Sequence, residues 1–230
     1  MSNRTLHILT PDVLLRAYAA GIFPMAESST STELHWFDPP IRAIIPLDDD
    51  FHVPRRLRRT LKQKPYEIKL DTAFLKVMQA CAAVTQDRPT TWINREILDL
   101  YTTMYMRGHA HSIEAWQDGE LVGGLYGVSL GGAFFGESMF SRRPDASKIT
   151  LIYLVSLLRY CGFTLLDTQF QTEHLVQFGT HEITRANYLH LLAGAVKKPA
   201  KLTAPVKPSW DQLVTDHLLA LSLQPVTHKS

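Results

Sequence analysis

The sequence predicts an α+β fold in which a small N-terminal domain precedes a larger domain with a mixed sheet flanked by helices. Three observations predict it. Alternating stretches at 66–70 and 111–116 stand beside an apolar stripe of Phe74, Val77, Met78 and Cys81 at helical spacing, so strands and helices interleave. Gln117-Asp-Gly-Glu120 between two alternating runs is a hairpin turn. Pro39-Pro40 breaks regular structure just before a strand begins at 42–45, which sets a small N-terminal domain at 1–45.

Residues 11–20 read as the first helix, with Thr10 as N-cap, Pro11 in the first turn and Gly21 as its stop. A Ser/Thr-rich loop follows at 28–32. A cation-loaded helix is expected over 48–64, then the strand 66–70, and then a helix capped by Asp71 that carries the Phe74 stripe. The loop from Thr91 enters a helix at 94–107. The hairpin joins 111–116 to 121–130, and 133–139 is a further strand. A long apolar helix at 148–161 stops at Gly162, 163–169 is a buried strand, and 184–192 a last helix. This element order matches an acyl-N-acyltransferase (GNAT-like) domain at 46–196. The Pro- and Lys-rich stretch 197–230 reads as a C-terminal appendage.

Composition narrows the class. The 230 residues are 45% hydrophobic and 20% charged, with a formal charge of +2, too small to imply nucleic acid by itself. The two cysteines, Cys81 and Cys161, sit in apolar helical contexts and read as core, which points to a reducing compartment. Residues 1–7 lack a hydrophobic signal segment and no run approaches the length of a membrane span, so a cytoplasmic protein is expected.

The charge is clustered. Arg55, Arg56, Arg58, Arg59, Lys62 and Lys64 fall within ten residues on more than one helix face. Such a run is often a solvated face, but its guanidinium density suits RNA phosphates. His109 and His111 have no carboxylate or thiol at metal-ligand spacing and read as the start of a strand. Arg159-Tyr-Cys-Gly-Phe-Thr164 approaches a CoA pyrophosphate loop. It ends a helix instead of opening one, and Thr164 stands where a small residue is required, so CoA is disfavoured.

The richest stretch is Gly136-Glu-Ser-Met-Phe-Ser141 with the polar run to Lys148, followed by Asp167 and Gln169. It sets an acid at the end of an apolar strand, with a second acid and an amide on the next strand. Asp167 and Gln169, two apart, are expected on one strand face. Leu151, Leu154 and Leu158 on the intervening helix line either a pocket or simply the core.

These residues resemble the leucyl/phenylalanyl-tRNA–protein transferases. The likeness is carried by Gly21-Ile-Phe-Pro24, Trp36, Pro39-Pro40, Arg42-Ala43, Thr91-Trp-Ile93 and Gly108-His-Ala-His-Ser-Ile-Glu114. It continues through Leu121-Val-Gly-Gly-Leu-Tyr-Gly127, Gly136-Glu-Ser-Met-Phe-Ser141, Ala146-Ser-Lys148, Asp167, Gln169, the turn around His174 to Gly179, Arg185 and Tyr188-Leu189. The resemblance implies transfer of Leu or Phe, and less well Met, from aminoacyl-tRNA to proteins with N-terminal Arg or Lys, marking them for degradation. It implies that Gln169 orients the attacking amine, Asp167 holds Gln169, and Glu137 pairs with the donor's α-ammonium. Trp92 would stack on the terminal adenosine. Leu125, Met139, Leu154, Leu158 and Leu166 would form the side-chain pocket, and Ser141 would also bind substrate. Arg55, Arg56, Arg58, Arg59 and Lys62 would contact tRNA. No cofactor and no metal are expected, and the enzyme is expected to be a monomer. A transferase acting on N-terminal Asp or Glu, a CoA-dependent acetyltransferase and a non-catalytic tRNA-binding module remain the alternatives.

Overall fold

The computed structural model describes residues 9–31, 33–84 and 90–222. The reading of residues 1–7, the last position of the 28–32 loop and the far end of the C-terminal stretch lie outside them. Helix α1 (Pro11–Ala19) opens as predicted, the Thr10 hydroxyl accepting from the Val13 N–H. β1 (Phe23–Ala26) and β2 (Leu34–Phe37), to which the sequence assigned no strand, pair antiparallel as a hairpin on either side of the 28–32 segment.

β3 (Ile41–Ile45) crosses into the main sheet. It lies between β8 (Leu165–Gln169) and β9 (His181–Thr184), antiparallel to both. Residues 41–45 therefore belong with the larger unit, not with the small one ending at 45. The helix expected over 48–64 is shorter. Pro54 holds Val53 out of helical backbone, so α2 runs Arg55–Gln63 and ends at Lys64 in left-handed backbone, φ 48°.

β4 (Glu67–Leu70) leads to α3 (Phe74–Ala82), whose expected cap is wrong. Asp71 lies in left-handed backbone at φ 58° and turns back towards the next strand, accepting from the Ser112 N–H. The buried Glu114 carboxylate accepts from the Thr72 and Ala73 N–H groups and the Thr72 hydroxyl instead. α4 (Arg95–Met106) is capped by Asn94, which accepts from the Ile97 N–H. β5 (Ala110–Gln117) and β6 (Glu120–Leu130) form the predicted hairpin, with positive φ at both Asp118 and Gly119, the type I′ signature.

β7 (Ala133–Ser141), α5 (Ala146–Tyr160) and β8 make a β-α-β crossover, hence the parallel β7–β8 pair. The short α6 (Glu173–Val176), β9 and α7 (Arg185–Ala195) follow. The seven-stranded sheet has the order β4-β5-β6-β7-β8-β3-β9. One face buries α5 with the apolar side of α2; the other buries α1, α3, α4 and α7.

Residues 210–222 are no appendage. They form α8 (Trp210–Ser222), which packs on α5 and puts Leu213 and Val214 into the main core. The Tyr153 hydroxyl donates to Asp211 at 2.8 Å. Cys81 is buried as expected, whereas Cys161 is only half-buried. His217 stacks on Phe51 and donates from Nδ1 to the oxygen of Ser156, whose own hydroxyl proton goes to the Ile152 carbonyl, at 2.8 Å, while its buried Nε2 has no partner among the described residues. Burial pushes its pKa down to about 4. The unfolded chain therefore binds a proton that the folded chain refuses, and stability falls as pH drops from about 6.5 towards 4. Between pH 7 and 4.5 we expect wild type to lose roughly 2–3 kcal/mol more than His217→Gln, read from denaturant midpoints.

Candidate active site

Two irregularities in neighbouring strands build the site. In β7 the pairing with β6 passes from Tyr126↔Ser138 to Gly127↔Gly136, so Glu137 has no opposite residue. In β8 the pairing with β3 passes from Ala43↔Gln169 to Ile44↔Asp167, so Thr168 has none. Both are β-bulges, which break alternation and re-aim side chains. Gly127 faces the first bulge, where a Cβ would lie 2.3 Å from the Phe135 carbonyl oxygen. The parallel β7–β8 pairing ends at Phe135↔Asp167. Beyond that point the strands part, and a cavity of about 330 Å³ opens beside them.

The bulge at Thr168 also revises the same-face expectation for Asp167 and Gln169. Gln169 lines the cavity, at φ 58°, whereas Asp167 does not line it and is fully buried. Asp167 Oδ1 accepts from Gln169's own N–H at 2.8 Å, so the acid fixes the backbone that carries the amide. Hydrogen bonding orients the Gln169 amide nitrogen to the carbonyls of Gly136 (2.9 Å) and Thr168 (3.1 Å). Its oxygen is then left as an acceptor.

Asp167 is bound chiefly by Arg42, a residue to which the sequence reading gave no role. Arg42 Nε donates to both carboxylate oxygens at 3.0 and 3.1 Å, and Nη2 to Oδ2 at 2.7 Å. Nη1 donates to the Gly21 carbonyl at 2.7 Å. The guanidinium lies between the rings of Phe23 and Tyr188, 4.6 and 4.3 Å from their centroids, and the Tyr188 hydroxyl donates to Asp167 at 2.8 Å. A lone arginine inside the run Ile-Arg-Ala-Ile-Ile was the available signal, because an apolar strand tolerates a charge only where a counter-charge waits.

Glu137 faces two buried tyrosines. Tyr18 of α1 donates to Oε1 at 2.6 Å, Tyr101 of α4 donates to Oε2 at 3.3 Å, and the two hydroxyls lie 2.5 Å apart. Desolvation pushes the Glu137 carboxyl up to about 7, the Tyr18 hydrogen bond opposing and the Asp167 charge adding. Burial and the same carboxylate push both phenols well above their ordinary range. Sequence gave no hint of the tyrosines, which come from separate helices.

Among the residues expected to bind substrate, Trp92, Leu125, Met139, Leu154 and Leu166 line the cavity, with Leu151 and Phe23 beside them. Leu158 does not; it sits one turn further along α5 in the core. Ser141 does not either; its hydroxyl donates to the Arg143 carbonyl and accepts from the Ser147 N–H, bracing the turn into α5. His174 lines the cavity too, its pKa lowered by burial and then by the Lys148 ammonium.

α2 buries Leu57 and Leu61 and presents its cations outward. Arg55, Arg59 and Lys62 are exposed. Arg56 forms a two-pronged bridge to Asp145, and Arg58 is half-buried, donating to the Val53 carbonyl. His111, within β5, bridges Asp71 (2.7 Å) and Ser129 (3.1 Å). Among the described residues no group of three or more His, Cys, Asp or Glu is arranged to hold a metal, and no helix is long and apolar enough to cross a membrane.

A family model described as "Leucyl/phenylalanyl-tRNA protein transferase" matches residues 44–193, and a second, for the N-terminal domain of that family, matches residues 8–40. A leucyl/phenylalanyl-tRNA--protein transferase of Paramagnetospirillum magneticum (strain ATCC 700264 / AMB-1) is 56% identical over 203 residues, 88% of this chain and 97% of that protein. Two solved structures are similar at lower levels. The crystal structure of FemX is 11% identical, with a TM-score of 0.48 over 75% of this chain and 66% of that one. L-PGS from Bacillus licheniformis is 15% identical, with a TM-score of 0.37 over 70% and 53%.

Proposed function

The chain belongs to the leucyl/phenylalanyl-tRNA protein transferase family, and from that premise we propose that the cavity between β7, β8 and α5 is where an aminoacyl group passes from tRNA to a protein's N-terminal amine. The chain is an aminoacyltransferase. The observation that carries the assignment of the site is the convergence of two bulges, which bring Glu137 and Gln169 to one largely apolar cavity.

The donor is an ester, so the reaction is aminolysis of an already activated acyl group. The acceptor nitrogen forms a bond to the ester carbonyl carbon. The bond to the terminal ribose oxygen breaks, that oxygen leaves as a hydroxyl, and the nitrogen gives up a proton. Position and proton removal supply most of the acceleration. The Gln169 amide oxygen accepts from the attacking amine, and Asp167 acts through the Gln169 N–H and Arg42 as a positioning residue. Glu137 takes the donor's α-ammonium, which draws its carboxyl into the ionised form. Leu125, Met139, Leu154 and Leu166 receive the Leu or Phe side chain, with Met as the weaker donor because an apolar pocket rejects such near-isosteres poorly. Trp92 stacks on the terminal adenosine, and Arg55, Arg56, Arg58, Arg59 and Lys62 approach tRNA phosphates.

Acceptors with N-terminal Arg or Lys, and their consequent marking for degradation, complete the reading, as do a monomeric state and a cytoplasmic setting. The parting of the parallel β7–β8 pair supports a GNAT-like sheet for the larger domain, with the smaller domain ending before β3. Transfer of labelled Leu from Leu-tRNA to peptides beginning with Arg, Lys, Asp, Glu or Ala tests the function. Product with Arg and Lys alone is expected. Product with Asp and Glu would overturn the acceptor, and none at all would return the chain to a binding role.

A further inference from the structure

We propose a second donor-tRNA contact: the cleft between α3, the β5–β6 hairpin and the loop after β7 binds the phosphodiester backbone close to the esterified end. This rests on the tRNA-dependent reading above. The cleft measures about 600 Å³ and is lined by Lys76, Gln79, Trp116, Glu120, Arg142 and Arg143, among others. Three cations thus face one carboxylate, around an indole.

Two of these groups are set in place before any ligand arrives. Arg142, itself exposed, donates to the Leu121 carbonyl at 3.2 Å and lies 5.3 Å over the Phe140 ring. Trp116 donates from its indole N–H to the buried Glu114 at 3.2 Å, with Lys69 5.2 Å over the ring. A guanidinium fixed in this way loses little conformational freedom on meeting a phosphate. Glu120 sits in the exposed hairpin, where screening by solvent weakens its opposition.

Placement favours the donor RNA over other anions. Arg142 lies just past the end of β7, three residues beyond Met139 of the acyl cavity and at most about 10 Å along the chain, its guanidinium over Phe140 on the sheet face opposite Met139. A phosphate there belongs to the few nucleotides nearest the ester. The same loop joins this cleft to the basic helix, because Arg56 bridges Asp145 and the Tyr66 hydroxyl donates to the Pro144 carbonyl. Exposed cations therefore run from α2 on one face of the sheet, through the 142–145 loop, to Lys76 on the other.

The test compares two donors in one assay, leucyl-tRNA and leucyl-adenosine, the second having no phosphate. For Lys76→Ala/Arg143→Ala, and separately Arg142→Gln, we expect kcat/KM with leucyl-tRNA to fall at least tenfold at moderate salt. Leucyl-adenosine turnover should stay within twofold of wild type. The log–log salt dependence with tRNA should become shallower by about 1.5 in the double variant, as two lost phosphate contacts require. An unchanged tRNA salt slope would overturn the proposal, as would equal losses with both donors, which report damage to the acyl cavity. If wild type used neither donor, the transferase reading itself would fall, so the two failures remain separable.

Discussion

Asp167→Ala is expected to remove about 3–5 kcal/mol of unfolding free energy, because it strands the fully buried Arg42 without its counter-charge. The same change deprives the Tyr188 hydroxyl and the Gln169 N–H of their acceptor. Loss of transfer in this variant therefore says nothing by itself about chemistry. The double variant Arg42→Met/Asp167→Leu separates the two effects. Exchanging a whole buried ion pair for apolar side chains is often neutral or stabilising, so its urea midpoint should recover most of the loss. Its transfer rate should stay at least a hundredfold down, since nothing then fixes the turn at Gln169. Full recovery of turnover would reduce Asp167 to a folding role.

Glu137→Gln should weaken an unreactive leucyl-adenosine amide by roughly 10- to 100-fold at pH 8, the range for hydrogen bonds to a charged group. At pH 5.5 the difference should nearly vanish, because the wild-type carboxyl, with a pKa of about 7, is then protonated as well. Wild-type affinity should rise through pH 7 and fall again once the donor amine, near 7.7–8.0 in its ordinary state, loses its own proton. Stability supplies the opposite signature. The folded carboxyl binds its proton more tightly than the unfolded one, so wild type loses stability as pH rises from about 4.5 through 7. The glutamine variant should be spared that loss. A glutamine variant that bound the analogue as tightly as wild type at pH 8 would remove Glu137 from donor recognition.

Much of this was legible in the sequence wherever local signals spoke for themselves. Thr10 caps the helix that follows it, the helices expected to begin at 94 and 184 begin one residue later with Asn94 and Thr184 as their caps, and Asp118-Gly119 makes the hairpin turn that dipeptide favours. Glu137, Gln169 and most of the apolar pocket meet at one cavity. The misses share a physical cause, because they depend on tertiary partners. Asp71 lost its capping role to Glu114, a carboxylate 42 residues from Thr72. The parity argument for Asp167 and Gln169 failed because a bulge inserts an unpaired residue between them, and only pairing reveals a bulge. Tyr18 and Tyr101 reach Glu137 from helices on the far side of the sheet; residues 210–222 are the exception, since Trp210, Leu213, Val214, Leu218 and Leu221 stand at helical spacing and only the Pro- and Lys-rich composition before them suggested a tail.

The position of β3 has a kinetic consequence. Its residues sit beside β8, across 125 positions of sequence in the Arg42–Asp167 pair, and beside β9 on the other flank. A strand inserted between two partners so remote can dock only after most of the chain has been ordered, and such non-local closure is slow. The groups that grip Gln169 thus come together in the same late event that closes the sheet. Refolding should therefore recover catalysis and the final tertiary signal with one time constant, leaving no half-folded form that turns over substrate.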